Sequence, residues 1–151
     1  ENEITATEAF FSFYPNMGRS SATSNAAVLN AASSSNNNGS SDDALRRMAK
    51  LVNSLLARVD CGPFREPVDW RGLELWDYPK VIKKMMDLGT VKRKLERGQY
   101  STPAECAVDI RLVWTNCKTY NADGSDFFLL AESFSKRFED RQACFSWVLC
   151  F

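Results

Sequence analysis

The stretch Thr102-Pro103-Ala104-Glu105-Cys106-Ala107-Val108-Asp109-Ile110-Arg111-Leu112-Val113-Trp114-Thr115-Asn116-Cys117-Lys118-Thr119-Tyr120-Asn121-Ala122-Asp123-Gly124 decides the fold class. Thr102 and Glu105 form a capping box, and Pro103 stands at the first helical position, where a missing N–H costs nothing. Cys106, Ile110, Val113, Trp114, Cys117 and Tyr120 then recur at three- and four-residue steps, the spacing of one buried helix face. Asn121-Ala122-Asp123-Gly124 is a turn sequence and stops the helix.

Similar signals extend in both directions. A last helix starts at Ser125 and is expected to bury Phe127, Leu130, Ala131, Phe134 and Phe138. Upstream, Asp87 caps a short helix over about residues 88–97, and Gly98 ends it. The first helix is expected to begin near Asp42 with Ser41 as N-cap. It would bury Leu45, Met48, Leu51, Val52, Leu55, Leu56 and Val59, and stop at Gly62 and Pro63. Between these two helices, about residues 60–87 read as a long connection rich in both proline and aromatic residues. Such a loop is expected to fold back onto the helices and to carry function. Four helices without a strand make an all-α four-helix bundle.

The flanks differ in composition. Residues 1–41 form a Ser- and Asn-rich segment that buries too little apolar surface to order, with one aromatic cluster at Phe10, Phe11, Phe13 and Tyr14. The folded domain is expected over residues 42–141. Residues 142–151 make an apolar tail that either extends the last helix or is not a native chain end.

Composition excludes several chemistries. The chain has 151 residues, enough for one domain with tails, and 19 basic against 19 acidic side chains. It has no histidine, which removes Ser-His-Asp and Cys-His catalysis and imidazole metal sites. Its five cysteines include no C-x-x-C pair, so neither a zinc site nor a disulfide framework is expected. Cys106 and Cys117 read as reduced, small apolar residues of a helical face. No stretch has the ~18 apolar residues of a membrane span, and the first residues lack the basic start of a secretory signal.

Several separated motifs together resemble the bromodomain family. They are Gly62-Pro63-Phe64-Arg65-Glu66-Pro67-Val68-Asp69, then Asp77-Tyr78-Pro79-Lys80-Val81-Ile82, then Met86-Asp87-Leu88-Gly89-Thr90-Val91, and finally Asp109 to Cys117 with Tyr120-Asn121. The resemblance covers about residues 43–141. It implies a left-handed four-helix bundle with a long ZA loop and a short BC loop, binding acetylated lysine without catalysis or cofactor.

By the same resemblance, Asn121 donates to the acetyl carbonyl and Tyr78 reaches that oxygen through a water. Pro63, Phe64, Val68, Leu73 and Leu75 make the ZA-loop wall. Cys117 and Tyr120 line the opposite side, Phe127 stands beside the lysine stem, and Met86 lies at the water channel. The residue chemistry agrees, because acetyl-lysine is a neutral amide on a four-carbon stem. An asparagine at a helix end offers a donor without charge, whereas an unmodified ammonium would be buried unpaired. Three positions depart from the family pattern. Gly62 stands where tryptophan is frequent and Pro79 where a second aromatic is, while Met85 replaces a proline and is expected to loosen the loop.

The implied partners are acetylated histone tails, in the nucleus, bound by a monomer with no membrane contact. Glu66, Asp69, Glu74, Asp77, Asp123 and Asp126 fall in the two loops that would rim the pocket and would steer a basic tail. The resemblance also allows this to be the reader portion of a larger acetyltransferase or remodeller. A different class, helical nucleic-acid binding, rests on Lys83, Lys84, Lys92, Arg93, Lys94 and Arg97, which could touch nucleosomal DNA.

Overall fold

In the computed structural model, which describes residues 39–147, six α-helices follow one another. They are α1 (Gly39–Leu56), α2 (Gly62–Arg65), α3 (Tyr78–Val81), α4 (Leu88–Glu96), α5 (Pro103–Tyr120) and α6 (Asp126–Trp147). A single 3₁₀ turn at Val59–Cys61 precedes α2, and no strand occurs among the described residues. The long helices α1, α4, α5 and α6 pack as the four-helix bundle. The two one-turn helices α2 and α3 sit in the long connection between α1 and α4.

The helix ends follow the local chemistry. The Asp87 carboxylate accepts the Thr90 N–H at 2.7 Å and starts α4. At its other end Gly98 takes φ +63°, the Gly98 N–H bonds Leu95 O, and the Gln99 N–H bonds Lys94 O. That is a Schellman stop, which needs a residue tolerant of left-handed backbone. Thr102 Oγ1 accepts the Glu105 N–H at 3.3 Å, while the Glu105 carboxylate accepts from Ser101 N at 2.8 Å. The box therefore closes one residue earlier than the simple pattern. Gly89, in the first turn of α4, lies against α2: a Cβ there would stand 2.3 Å from the Arg65 carbonyl oxygen.

Three expectations about α1 are corrected. The helix begins at Gly39, so Ser41 is inside it, and the Ser41 hydroxyl donates to the Ser101 carbonyl instead of capping. Gly62 and Pro63 do not end α1, which stops at Leu56; they begin α2, because proline suits a first helical turn as well as it breaks a later one. Arg65 then reaches back and donates to the Leu56 and Arg58 carbonyls, at 3.2 and 2.7 Å. The Leu56 carbonyl is one that the end of α1 leaves without a backbone donor, and the Arg58 carbonyl also accepts the Cys61 N–H at 3.2 Å. Val59 lies past the helix end and is exposed rather than buried.

The core is built on the face read from α5. Ile110, Val113 and Trp114 pack against Ala131, Phe134 and Phe138 of α6, with Met48, Leu51, Val52 and Leu55 of α1 completing it. Phe64 of α2 joins this core, edge-on to Trp114 (5.1 Å) and Phe134 (5.2 Å). The long connection is thereby anchored at its beginning by an aromatic wedge.

The Ser/Asn-rich segment up to residue 38, with its aromatic cluster, and residues 148–151 lie outside the described residues. Helix α6 continues through Trp147, so the beginning of the apolar tail extends the last helix.

Candidate functional site

A cavity of about 80 Å³ opens between the α1–α4 connection and the facing ends of α5 and α6. Its walls are Pro63, Phe64, Glu66, Val68, Leu73, Leu75, Tyr78, Met86, Val113, Asn116, Cys117, Tyr120, Asn121 and Phe127. Every site residue named from the sequence thus lies on one cavity. Val113 and Asn116 are lining residues beyond those, and Glu66, expected on the rim, is part of the wall. Val113, Asn116, Cys117 and Tyr120 follow one another at three, one and three residues along α5, so helical spacing already places them on one face. The sequence places Glu66 only in a rimming loop, and its place in the wall depends on how that loop folds.

Asn121 stands at the end of this face as the C-cap of α5, with extended backbone. Its Nδ2 donates to the Cys117 carbonyl at 2.8 Å. A carbonyl only accepts, so this contact determines which end of the amide faces inward to the helix. The same nitrogen lies 3.6 Å from the Cys117 sulfur, a weak acceptor that a carbonyl oxygen readily replaces. Asn121 is therefore held in one rotamer with donor capacity in reserve.

Tyr78, on the first turn of α3, is buried and packs edge-on against Tyr120 at 4.8 Å. Tyr120 is oriented in turn by donating its hydroxyl to Asp77 at 2.8 Å. The Tyr78 hydroxyl has no hydrogen-bond partner among the described residues, and it is not one of the fully enclosed polar atoms left unpaired. It is thus left for whatever enters the cavity. Tyr78→Phe is accordingly expected to change unfolding free energy by less than about 1 kcal/mol, measured by urea denaturation. A larger loss would show that the hydroxyl serves the fold.

The phenol and thiol groups that line the cavity are uncharged at ordinary pH. Burial pushes the Tyr78 hydroxyl up to about 12 and the Cys117 thiol up to about 11. Burial, aided by the Asp77 carboxylate, also pushes Tyr120 up to about 12. The Cys117 thiol donates to the Phe127 carbonyl at 3.4 Å, tying α5 to the start of α6. Glu66 is the only ionic side chain in the walls; it is exposed and pairs outward with Arg93 at 3.5 Å. No group of metal-binding side chains occurs among the described residues.

The connection is held at its far end by Lys84 and Asp109. The Asn116 amide donates to the Lys84 carbonyl at 2.8 Å, and the Lys84 ammonium pairs with Asp109 at 2.9 Å. These bonds tie the residue immediately before Met85. Met85 itself is exposed. A Cβ built at Gly62 meets no atom within 4 Å, so the position at the opposite end of the wall is open.

Comparison with known proteins places these features in a family. A family model described as Bromodomain matches residues 48–133, more than half of the chain. Among curated relatives, Transcription factor GTE1 of Arabidopsis thaliana is 41% identical over 105 residues, 70% of this chain and 26% of that protein. Transcription factor GTE2 of the same plant is 47% identical over 76 residues, 50% of this chain and 13% of that protein. The chain therefore spans about a quarter or less of the length of these relatives. The matched segment contains every lining residue of the cavity, from Pro63 to Phe127, and the chain belongs to the bromodomain family.

Proposed function

We propose that this domain binds acetylated lysine in histone tails, as a nuclear, non-catalytic module of a chromatin or transcription regulator. One observation carries the reading: a narrow apolar cavity whose one ionic lining residue, Glu66, is paired with Arg93, with the Asn121 amide in its wall anchored by Cys117. A neutral amide on an alkyl stem matches that environment. An ammonium would enter a wall with no carboxylate except the outward-paired Glu66. In this reading Asn121 donates to the acetyl carbonyl, and Tyr78, through a water, donates to the same oxygen. Pro63, Val68, Leu73 and Leu75 cover the stem from one side, and Cys117, Tyr120 and Phe127 from the other. The regulatory setting is supported by the two relatives named as transcription factors.

The basic residues after the loop do not favour nucleic-acid binding. Lys84 and Lys94 both pair with Asp109, Arg93 with Glu66 and Asp87, and Lys92 with Glu96. Most of the positive charge is thereby neutralised within the domain.

Calorimetric titration with acetylated and unmodified histone-tail peptides tests the proposal. Acetylation-dependent binding that falls only modestly with added salt is expected. Binding that ignores acetylation and collapses steeply with salt would instead indicate phosphate-type charge contacts.

A further inference from the structure

The loop that walls the cavity also carries an indole pair that the cavity does not use. Trp70 and Trp76 meet edge-to-face at 6.0 Å with an interplanar angle of 82°. An edge-to-face pair covers at most one face of either ring. Trp70 is half-buried and already receives a cation, with the Arg71 guanidinium 4.2 Å from its ring centroid. Trp76 receives none among the described residues and is 60% exposed. It directly precedes Asp77, the acceptor for Tyr120 at the cavity mouth, and directly follows the cavity-lining Leu75.

The pair is built rigidly. The Leu75 N–H bonds the Trp70 carbonyl at 2.8 Å, Leu73 N–H bonds Asp69 O, and Glu74 N–H bonds Arg71 O. The Asp69 side chain accepts the Gly72 N–H at 3.0 Å. Residues 69–75 therefore form a closed turn, and Trp76 follows directly on its last residue, the cavity-lining Leu75. In the same loop Asp69, Glu74 and Asp77 are exposed and form no ion pair among the described residues. An open indole face among unpaired carboxylates is complementary to a cation, and Arg71 on Trp70 shows the same loop already using that contact.

We propose that Trp76 is a second binding subsite, taking the side chain of a basic residue, arginine or lysine, in the same peptide that places acetyl-lysine in the cavity. The inference rests on acetyl-lysine reading. Trp76 supplies the ring face, and Glu74 and Asp77 supply the negative field. The domain then selects acetyl-lysine with a basic neighbour over acetyl-lysine in a neutral sequence.

The test uses the whole chain and acetyl-lysine peptides in which one arginine is moved one position at a time along the peptide. Each peptide is matched by one carrying citrulline, the uncharged isostere, at the same place. Wild-type protein should prefer arginine by about two- to fivefold at its best position. Trp76→Ala should remove most of that preference, and Trp76→Phe should keep part of it, while acetyl-dependence persists in both. Thermal unfolding followed by circular dichroism checks that both variants remain folded. If acetyl-dependent binding persists but the arginine-to-citrulline ratio is the same in wild type and Trp76→Ala, the subsite is overturned and the acetyl-lysine reading stands. If no peptide binds in an acetyl-dependent way, both fall together.

Discussion

Asn121→Ala is expected to weaken binding of an acetylated peptide by about tenfold to a hundredfold. The substitution removes the amide donor from the cavity wall and leaves the acetyl carbonyl desolvated and unpaired, which costs about 1–3 kcal/mol. It also removes the Nδ2 bond to the Cys117 carbonyl, so a smaller loss of fold stability, about 1 kcal/mol, accompanies it. Titration and urea denaturation of the same sample separate the two effects. Affinity should fall much further than stability, and Tyr78→Phe should show the same asymmetry in milder form. Unchanged affinity in folded Asn121→Ala would refute its assignment as the acetyl donor, however well the apolar walls fit.

The second large effect concerns Asp109, which no reading of the sequence singled out. Its buried carboxylate gathers the Lys84 ammonium from the end of the long connection, the Lys94 ammonium from α4 and the Tyr100 hydroxyl. Burial by itself would raise its pKa. The hydrogen bonds from Lys94, Lys84 and Tyr100 outweigh burial and hold the carboxyl below its ordinary value. Asp109→Ala would leave the Tyr100 hydroxyl buried without an acceptor and Lys94 half-buried beside the Tyr100 ring. Breaking a fully buried pair costs about 3–5 kcal/mol. Lys84 is largely exposed, and screening of its pair lowers the expected loss here to about 2–4 kcal/mol.

The pH dependence follows from the direction of that shift. Because the folded-state pKa is depressed, the unfolded chain binds the proton more readily, and stability falls as pH falls. The contribution is complete above the unfolded carboxylate value of about 4 and is lost as pH drops through the lower folded value. Denaturation curves of wild type and Asp109→Ala should therefore keep a constant separation from neutrality to about pH 5 and converge below about pH 4. A separation under about 1 kcal/mol at neutral pH would mean that the two lysines are adequately solvated without Asp109.

Much of the bundle was legible because its signals are local. A cap, a three-and-four spacing and a glycine stop act over a few residues, so Asp87, Thr102 and Gly98 do in the structure what their chemistry predicts. Gly62-Pro63 was misread because proline's fixed φ serves a helix start as well as a stop. Only the packing of Phe64 against Trp114 and Phe134 decides that the chain turns there into α2. Val59 was misread for a related reason: helical spacing carries no information once the helix has ended.

By itself the sequence determined the all-α class, the order of the long helices, the buried face of α5 and the placement of Asn121 at its end. Each follows from periodicity or backbone preference within one segment. Tertiary structure alone decided that the long connection closes a cavity over that face, that Glu66 joins its walls, and that Asp109 collects Lys84, Lys94 and Tyr100. It also decided that Trp70 and Trp76 stand together with one indole left open. Those outcomes depend on contacts between residues distant in the chain, whose geometry is settled by close packing and by the need to pair buried polar groups.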